Sequence, residues 1–288
     1  MFSLLEAHTK MTGYLKRHGI QNPRFTSEIL ISNVLNIERI QIYASHDNPV
    51  NDEELDRLRE LSKRIAGGEP LQLVVGDSHF LSYVFKVEPG VFIPRPETEV
   101  LVEVTVNLLE KNNVEPEMIL DIGTGTGVIA ISLLHRYKAA NAMGVDISIR
   151  ATALASENAR LLNIEDRIRF IESDLFENID ENKQFDLIVS NPPYIPSVDI
   201  PGLDPVVRDF DPHAALDGGK DGFATIRNIL KTAPSYLKPG GLITMEIGIN
   251  QAGETSRIFN EAGLVNVEAF RDLSGVERIV TGWKEKRH

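Results

Sequence analysis

The tetrapeptide Asn191-Pro192-Pro193-Tyr194 has groups that suit the recognition of a planar nitrogen, and it directly follows the apolar segment Phe185–Ser190. Two consecutive prolines fix the backbone and remove two N–H donors. The Pro192 carbonyl and the side-chain oxygen of Asn191 can then accept the two protons of a substrate –NH2 group. The Tyr194 ring offers a face on which a planar amide or base can stack. We predict that all four residues bind the substrate and carry the catalysis.

The chemistry that such a site favours is methyl transfer to nitrogen. An amide or aromatic amine is a poor nucleophile because the lone pair of its nitrogen is delocalised. Acceptors aimed at its protons raise the electron density on nitrogen and orient the lone pair. Catalysis then rests on positioning and electrostatics, with in-line displacement at carbon. The sequence shows no dedicated strong base beside the tetrapeptide.

A glycine-rich segment after the apolar run Met118–Ile122 predicts a cofactor site. The candidate binding residues in it are Asp121, Gly123, Thr124, Gly125, Thr126 and Gly127. Glycines there permit a tight turn and let a ligand approach the backbone closely. The spacing is G-x-G-x-G, and Val128 stands where the dinucleotide-binding motif has its third glycine. This departure disfavours an NAD-dependent dehydrogenase.

Acidic residues after the next two apolar segments complete the predicted cofactor site. Asp146 ends one segment, and its carboxylate can accept both hydroxyl protons of a ribose. Asp174 follows the other segment and can accept the adenine amino group, beside the apolar wall of Leu175. Together with Asn191 at the methyl-accepting end, these residues predict S-adenosyl-L-methionine (SAM) as the cofactor.

The elements that must position these residues alternate between strand-like and helix-like segments from residue 117 onward. Repeated βα units predict a parallel sheet with helices on both faces. The last two strands, near Val265–Phe270 and Glu277–Thr281, are joined by a short loop, which predicts an antiparallel pair and a reversed final strand. The fold class is therefore α/β, and ligands are expected at the carboxyl ends of the strands.

The N-terminal part of the chain has a different pattern. Residues 1–66 show helical spacing of apolar residues. Leu71–Val75 and Tyr83–Val87 predict two strands of a hairpin. Thr98 is expected to cap the helix that follows two stiffening prolines.

Composition narrows the function further. The chain has 288 residues, no cysteine and a net charge of −12. The absence of cysteine excludes disulfides, thiolate zinc sites and cysteine nucleophiles. The seven histidines show no metal-ligand spacing, so no metal is expected. Most of the excess acidity lies after residue 90, which disfavours a nucleic-acid partner. We found no apolar run of transmembrane length and no signal peptide, so we expect no membrane association and a cytoplasmic location.

The sequence resembles the HemK family, the protein-glutamine methyltransferases (PrmC-like) that modify the Gly-Gly-Gln loop of peptide chain release factors. The resemblance covers nearly the whole chain and is carried by Gly68–Leu71, Ile93–Glu99, Asp121–Gly127, Ser190–Tyr194 and Asp272–Arg278. It implies a seven-stranded Rossmann-like SAM-dependent methyltransferase domain with a small N-terminal helical domain and a β-hairpin linker. The implied boundaries are residues 1–68 for the helical domain that recognises the protein substrate, 69–95 for the linker and 96–288 for the methyltransferase domain.

The resemblance also implies that the glutamine of a release factor binds at Asn191–Tyr194. We expect Arg95 and Glu97 to support either the substrate pocket or the interdomain seam, and for Arg95 a rigid linker with surface charges stays open as an alternative. The Phe210-Asp211-Pro212 sequence departs from the commoner Tyr-Glu-Pro form of the family. The loop 194–222 is rich in proline and glycine, and we expect it to cover the substrate. Two alternatives stay open: an amino-group methyltransferase acting on adenine in DNA or RNA, and a SAM-binding scaffold without turnover.

Overall fold

The computed structural model describes residues 2–286. These residues form two compact units, one of residues 2–77 and 205–210 and one of residues 78–204 and 211–286. In chain order the elements are β1 (Phe2–Ser3), α1 (Leu4–Arg17), α2 (Pro23–Leu35), α3 (Gln41–Ala44), β2 (Pro49–Val50), α4 (Asp52–Ala66), α5 (Leu71–Val75), β3 (Asp77–Phe80), β4 (Tyr83–Lys86), α6 (Pro96–Lys111), β5 (Met118–Ile122), α7 (Val128–Arg136), β6 (Asn141–Asp146), α8 (Ile149–Leu161), β7 (Ile168–Glu172), β8 (Phe185–Ser190), α9 (Pro205–Arg208), α10 (His213–Leu216), α11 (Ala224–Tyr236), β9 (Leu237–Glu246), α12 (Ala252–Glu261), β10 (Leu264–Arg271) and β11 (Glu277–Lys284), with 3₁₀ helices at Glu165–Arg167 and Ile200–Gly202.

The N-terminal unit is a small helical body with its own core. Helices α1 and α4 both begin with a capping box, in which Ser3 pairs with Glu6 and Asn51 pairs with Glu54, so the first N–H groups of each helix have acceptors. Their apolar faces meet α2 in one buried cluster that includes Leu15, Leu30, Ile31, Leu61 and Ile65. The predicted helical character of this region is confirmed.

The hairpin expected before the methyltransferase domain is present, but its first strand was predicted wrongly. Leu71–Val75 is helix α5, and the hairpin pairs β3 with β4. Pro70 precedes this short helix. Gly76 follows its last residue with a left-handed φ of 87°, the conformation that commonly ends a helix at glycine. A short run in which four of five residues are apolar is compatible with a buried helix as well as with a strand, and here it packs against the helical core.

The second unit contains a seven-stranded sheet in the order β10-β11-β9-β8-β5-β6-β7. Strands β9, β8, β5, β6 and β7 are parallel, whereas β11 runs antiparallel to both β9 and β10. The α/β class and the reversed final strand are therefore confirmed. Because β5 is followed by β6 on one side and lies next to β8 on the other, the strand order reverses between β5 and β8. Ligands of open α/β sheets bind at this point.

Apolar clusters cover both faces of the sheet. One joins α6 and α7 to β5 and β8 through residues such as Leu101, Leu109 and Ile131. The other joins α11 and α12 to the same strands through residues such as Ile226, Leu230 and Phe259. The hairpin side chains Phe80 and Phe85 are buried in the first cluster. The strand ends that carry the glycine-rich segment and the tetrapeptide are thus held between two packed layers.

Candidate active site

A cavity of about 410 Å³ opens at the carboxyl ends of β5, β6 and β8. That volume suits a ligand of nucleoside size. Most of the residues predicted from the sequence to contact cofactor or substrate lie on its wall: Gly123, Thr124, Gly125, Thr126, Asp146, Asp174, Leu175, Asn191, Pro192, Pro193 and Tyr194. Among the predicted site residues, Asp121, Gly127, Arg95 and Glu97 are not on that wall.

The glycine-rich segment turns sharply because its backbone is tied to the neighbouring strand. The N–H groups of Gly123 and Thr124 both donate to the Val145 carbonyl, at 2.8 and 2.9 Å. Gly123 and Gly125 have φ of 70° and 54°, a region that other residues rarely adopt. A Cβ atom at Gly125 would meet no protein atom within 4 Å, so the space beside this backbone is open. The segment can therefore lie directly against a bound cofactor.

The Asp146 carboxylate is fixed at the end of β6 by two backbone donors. Its Oδ2 accepts from the Gly125 N–H at 2.9 Å and its Oδ1 from the Ser148 N–H at 2.9 Å. Burial raises the pKa of Asp146, while both N–H groups oppose that shift. Asp146 lines the cavity, and each of its oxygens can accept a further hydrogen bond, which is what a pair of ribose hydroxyls requires.

Asp121 lies beneath the glycine-rich segment, fully buried. Its Oδ2 accepts from the Thr124 hydroxyl at 2.7 Å and from the Ala130 N–H at 3.3 Å. Burial raises the pKa of Asp121 to about 7, and these two hydrogen bonds act against it. In this position Asp121 shapes the turn from below, and its predicted contact with the cofactor stays a prediction.

The turn after β7 presents Asp174 and Leu175 to the cavity. Ser173 holds this turn, since its hydroxyl donates to the Leu175 carbonyl at 3.1 Å and accepts from the Asn178 N–H at 3.0 Å. Leu175 has φ 50° and packs partly against the core of this unit. An exposed carboxylate and an apolar side chain are therefore placed side by side at the edge of the cavity.

The tetrapeptide begins where β8 is tied to β5. The buried Ser190 hydroxyl donates to the Ile122 carbonyl at 2.8 Å, so the two strand ends and their loops lie together. The Asn191 Nδ2 donates to the Thr98 hydroxyl at 3.0 Å. Because this bond uses the amide nitrogen, the Asn191 Oδ1 is the atom left for a substrate donor.

Tyr194 is held at its backbone, its ring and its hydroxyl. The Gln251 Nε2 donates to the Tyr194 carbonyl at 2.9 Å. A Cβ at Gly248 would come within 3.1 Å of the Tyr194 Cδ2, so a side chain at position 248 would crowd the ring. The Tyr194 hydroxyl donates to the Glu246 Oε1 at 3.4 Å. The aromatic face predicted to stack on the substrate is thus rigidly placed.

Glu246 is a buried carboxyl group behind the tetrapeptide, 2% exposed, at the last position of β9. Burial raises its pKa to about 7, whereas the Thr98 hydroxyl and the positive charge of Arg278 lower it. Burial and the negative charge of Glu246 in turn raise the pKa of Tyr194, so the phenol stays protonated.

Arg95 and Glu97 lie beside the cavity. The Arg95 guanidinium is paired with the buried Asp211 carboxylate and lies over the Phe92 ring, 5.2 Å from its centroid. This pair holds the Ile93–Glu99 segment against Asp211. Glu97 is exposed. Substrate contacts of Arg95 and Glu97 stay predictions.

Thr98, Glu246 and Gln251 take part in the site although the sequence did not single them out for it. Thr98 was expected to cap helix α6, but α6 begins at Pro96 and has no side-chain cap, and the Thr98 hydroxyl bonds to Asn191 instead. The sequence signal for Glu246 is a carboxylate that follows a mainly apolar segment, Leu242–Met245.

Two family models match the chain. The PrmC N-terminal domain matches residues 6–76, and the methyltransferase small domain matches residues 82–200. The release factor glutamine methyltransferase of Geobacter sulfurreducens is 41% identical over 94% of this chain and 93% of its own length. This chain belongs to the family of release factor glutamine methyltransferases.

Other members of that family match over similar lengths. The release factor glutamine methyltransferase of Caulobacter vibrioides is 34% identical over 98% of this chain and 96% of its own length. That of Fusobacterium nucleatum is 36% identical over 97% of this chain and 78% of its own length. The family resemblance predicted from the sequence motifs is confirmed, and with it the assignment as a methyltransferase.

Solved structures share the fold with this family member. A methyltransferase of Pyrococcus furiosus aligns with a TM-score of 0.52 and 16% identity, over 82% of this chain and all (100%) of that one. A 16S rRNA methyltransferase of T. thermophilus, solved with AdoMet and guanosine, aligns with a TM-score of 0.53 and 18% identity, over 73% of this chain and 50% of that one. At these identities the likeness establishes the methyltransferase fold.

Residues 2–286 contain no helix that is both long and apolar enough to cross a membrane. Within the same range, no group of three or more His, Cys, Asp or Glu side chains could hold a metal ion.

Proposed function

We propose that this protein transfers a methyl group from SAM to the side-chain amide nitrogen of the glutamine in the Gly-Gly-Gln loop of peptide chain release factors. The names of the relatives support the reaction and the substrate. The observation that carries the proposal is the hydrogen bond from the Asn191 Nδ2 to Thr98, because it leaves the Asn191 Oδ1 to accept a proton of the substrate amide.

The residues around the cavity fit SAM. Asp146 would hold the ribose hydroxyls, Asp174 the adenine amino group, and Leu175 one face of the adenine. The open space beside Gly125 gives the methionine part of the cofactor close access to the backbone. When bound, SAM supplies a sulfonium methyl group. The cavity wall runs from Asp146 to Asn191, so both the nucleoside end and the methyl-accepting end of such a ligand have partners.

The chain contributes mainly orientation to the reaction. The Asn191 Oδ1 and the Pro192 carbonyl would accept the two amide protons of the glutamine and hold its nitrogen in plane. Two acceptors on these protons increase the electron density on the nitrogen and favour the attacking geometry. The Tyr194 ring would stack on the amide plane, and its protonated hydroxyl makes it a neutral surface.

The N-terminal unit is the proposed recognition element for the protein substrate. A single glutamine side chain offers few contacts, so selectivity for a release factor requires a second surface. In this proposal residues 1–68 form the recognition domain, residues 69–95 the linker and residues 96–288 the methyltransferase domain. A cytoplasmic place of action is part of this proposal.

The experiment that tests this function is transfer of a labelled SAM methyl group. The purified protein is incubated with a release factor, with the same release factor carrying alanine in place of the loop glutamine, and with duplex DNA. We expect label on the intact release factor and none on the other two substrates. Mass spectrometry of the tryptic loop peptide locates the methyl group.

Two results would contradict the proposal. Label on the alanine variant at the wild-type level would place the methyl group on another residue. Label on DNA and none on the release factor would make the protein an adenine amino-group methyltransferase with the same cofactor site. The loss of methyl transfer in an Asn191→Ala variant would still connect either activity to the tetrapeptide.

A further inference from the structure

Gln251 is a buried side-chain amide next to the tetrapeptide, 7% exposed, at the position directly before α12. Its Nε2 donates to the Tyr194 carbonyl at 2.9 Å and to the Gly222 carbonyl at 3.5 Å. Its Oε1 accepts from the Gly248 N–H at 2.8 Å. A neutral amide can donate and accept at once, whereas a carboxylate can only accept and an aliphatic side chain can do neither. Gln251 therefore joins three backbone segments by bonds that depend on its amide group.

The peptide unit between Tyr194 and Ile195 is held at both of its polar atoms. Gln251 donates to the carbonyl, and the Ile195 N–H donates to the Leu216 carbonyl at 3.0 Å. A Cβ at Gly218 would lie 2.8 Å from the Tyr194 Cα, so the returning chain passes directly against this backbone. The end of the tetrapeptide is therefore fixed in position.

The start of the tetrapeptide is fixed by the preceding residue, because the Ser190 hydroxyl donates to the Ile122 carbonyl at 2.8 Å. Pro192 and Pro193 lie between the two fixed ends, and their rings fix φ. The soft rotations that remain are their ψ angles, and rotation about ψ of Pro192 redirects the Pro192 carbonyl. That carbonyl is one of the two acceptors proposed for the substrate amide. A hold beyond the second proline is needed to keep its direction, and Gln251 provides it.

We propose that Gln251 is a positioning residue for methyl transfer, which fixes the direction of the Pro192 carbonyl by holding the carbonyl of Tyr194. Pro192 lines the cavity, and among residues 2–286 no N–H or O–H group donates to its carbonyl. The Tyr194 carbonyl is already engaged, so it does not compete for the substrate –NH2 group. This inference rests on the proposed function, because it specifies how the same site keeps its acceptors in place.

The variant Gln251→Glu tests the donated bond, because a glutamate side chain of the same length makes it in only one protonation state. A protonated carboxyl group can donate to the Tyr194 carbonyl and accept from the Gly248 N–H, as the amide does. An ionised carboxylate can only accept, and it would face two carbonyl oxygens. Burial raises the pKa of a carboxyl group, so both states are accessible between pH 6 and 9.

The experiment uses the full chain with release factor and SAM as substrates. Wild type, Gln251→Glu and Gln251→Met are compared by kcat and KM for the release factor, at saturating SAM between pH 6 and 9. Calorimetry gives the Kd for SAM, and thermal unfolding at each pH gives the stability. The matched control is Asn158→Asp. Asn158 is a fully buried amide of the same unit that does not line the cavity; it donates to the Lys86 and Thr126 carbonyls and accepts from the Lys86 N–H.

We expect Gln251→Met to lower kcat about 10-fold or more at every pH, as displacement of a substrate acceptor does. Gln251→Glu should stay within about 3-fold of the wild-type kcat at pH 6 and fall about 10-fold below it at pH 9, as the donated bond is lost. The Kd for SAM should change by less than about 3-fold in both variants, because Gln251 does not line the cavity. Asn158→Asp should lose stability as the pH rises but keep the wild-type kcat at saturating SAM.

Two results would overturn the positioning role: a Gln251→Met variant as active as wild type, and a Gln251→Glu variant whose kcat relative to wild type does not change with pH. An equal fall of kcat in Asn158→Asp would also overturn it, because loss of stability would then account for the effect. The Asn191→Ala variant separates these failures from failure of the proposed function. If Asn191→Ala is inactive while Gln251→Met behaves as wild type, only the positioning role is wrong. If Asn191→Ala is fully active, the site itself has been misassigned.

Discussion

Asp146 and Asn191 lie on the same cavity wall but are proposed to serve different ligands, so their substitution should affect different constants. Asp146→Asn removes the charge and one of the acceptors that face the ribose, and we expect the Kd for SAM to rise by about 10-fold or more. Asn191→Ala removes the acceptor for the substrate amide, and we expect kcat to fall by roughly 100-fold. Calorimetry with SAM and steady-state kinetics with release factor measure the two effects.

The decisive comparison is the turnover of the two variants at saturating SAM. Saturating SAM should restore most of the turnover of Asp146→Asn, because this variant keeps the methyl-accepting site. It should not restore Asn191→Ala. A normal Kd for SAM in Asp146→Asn would remove this carboxylate from the ribose, and a normal kcat in Asn191→Ala would remove the amide from the reaction.

The sequence revealed those site residues whose neighbours along the chain form a motif. Asn191 and the glycines stand in such motifs, and Asp146 is the last residue of the mainly apolar strand β6. Thr98 and Gln251 could not be found in this way, because they are 93 and 57 residues away in the sequence from the tetrapeptide residues to which they are hydrogen-bonded. Such partners are determined by the strand order of the sheet, which brings α6 and the end of β9 beside β8.

At the scale of elements, the junction between β9 and α12 supports the tetrapeptide. Gly248 lies in this junction, and a Cβ there would be 2.9 Å from the Gln251 Oε1 and 3.1 Å from the Tyr194 Cδ2. We expect Gly248→Ala to displace Tyr194 by a few tenths of an ångström and to lower kcat/KM for release factor about 10-fold, as misplacement of a positioning group does. The measurement is steady-state kinetics, together with thermal unfolding to confirm that the fold persists.

Gly253→Ala in α12 is the matched control for that variant. A Cβ at Gly253 would meet no atom within 4 Å, so alanine should keep the activity and raise the helix stability by up to about 1 kcal/mol. Equal kinetics for the two variants would show that the junction tolerates a methyl group. The contact with Tyr194 would then not be what demands glycine at position 248.

The elements that could be predicted from the sequence are those with one clear pattern. In β5 and β8 all residues but one are buried, and their mainly apolar runs predicted the observed bounds, Met118–Ile122 and Phe185–Ser190. Leu71–Val75 was predicted as a strand from the same kind of run and is helix α5. β9 begins at Leu237, and Lys238–Gly241 near its start contains a proline and two glycines, which are not typical of a strand. Short runs need tertiary contacts to decide their conformation.

At the scale of the whole molecule, the N-terminal unit has a buried core of its own and also exposes large apolar side chains. The N-terminal unit exposes Phe25 and Ile40, at 46% and 67%. The Arg39 guanidinium lies over the Phe25 ring, 4.7 Å from its centroid, and its Nη2 donates to the buried Glu28 Oε2 at 2.5 Å. An exposed aromatic ring held by an anchored arginine is a pre-ordered surface, which costs little entropy when a partner binds. This surface belongs to the unit proposed to recognise the release factor.

If the N-terminal unit recognises the folded release factor, this surface should affect KM for the whole protein and not for an isolated loop. We expect the double variant Phe25→Ser, Ile40→Ser to raise KM for release factor about 10-fold, the scale of losing apolar interface contacts. Its activity on a short Gly-Gly-Gln peptide should equal that of the wild type, because the peptide occupies only the cavity. Leu161→Ser, an exposed leucine (59%) of the other unit, is the control and should change neither value. An equal loss on protein and peptide would place the effect in the catalytic unit, whereas no change on either would assign recognition to another surface.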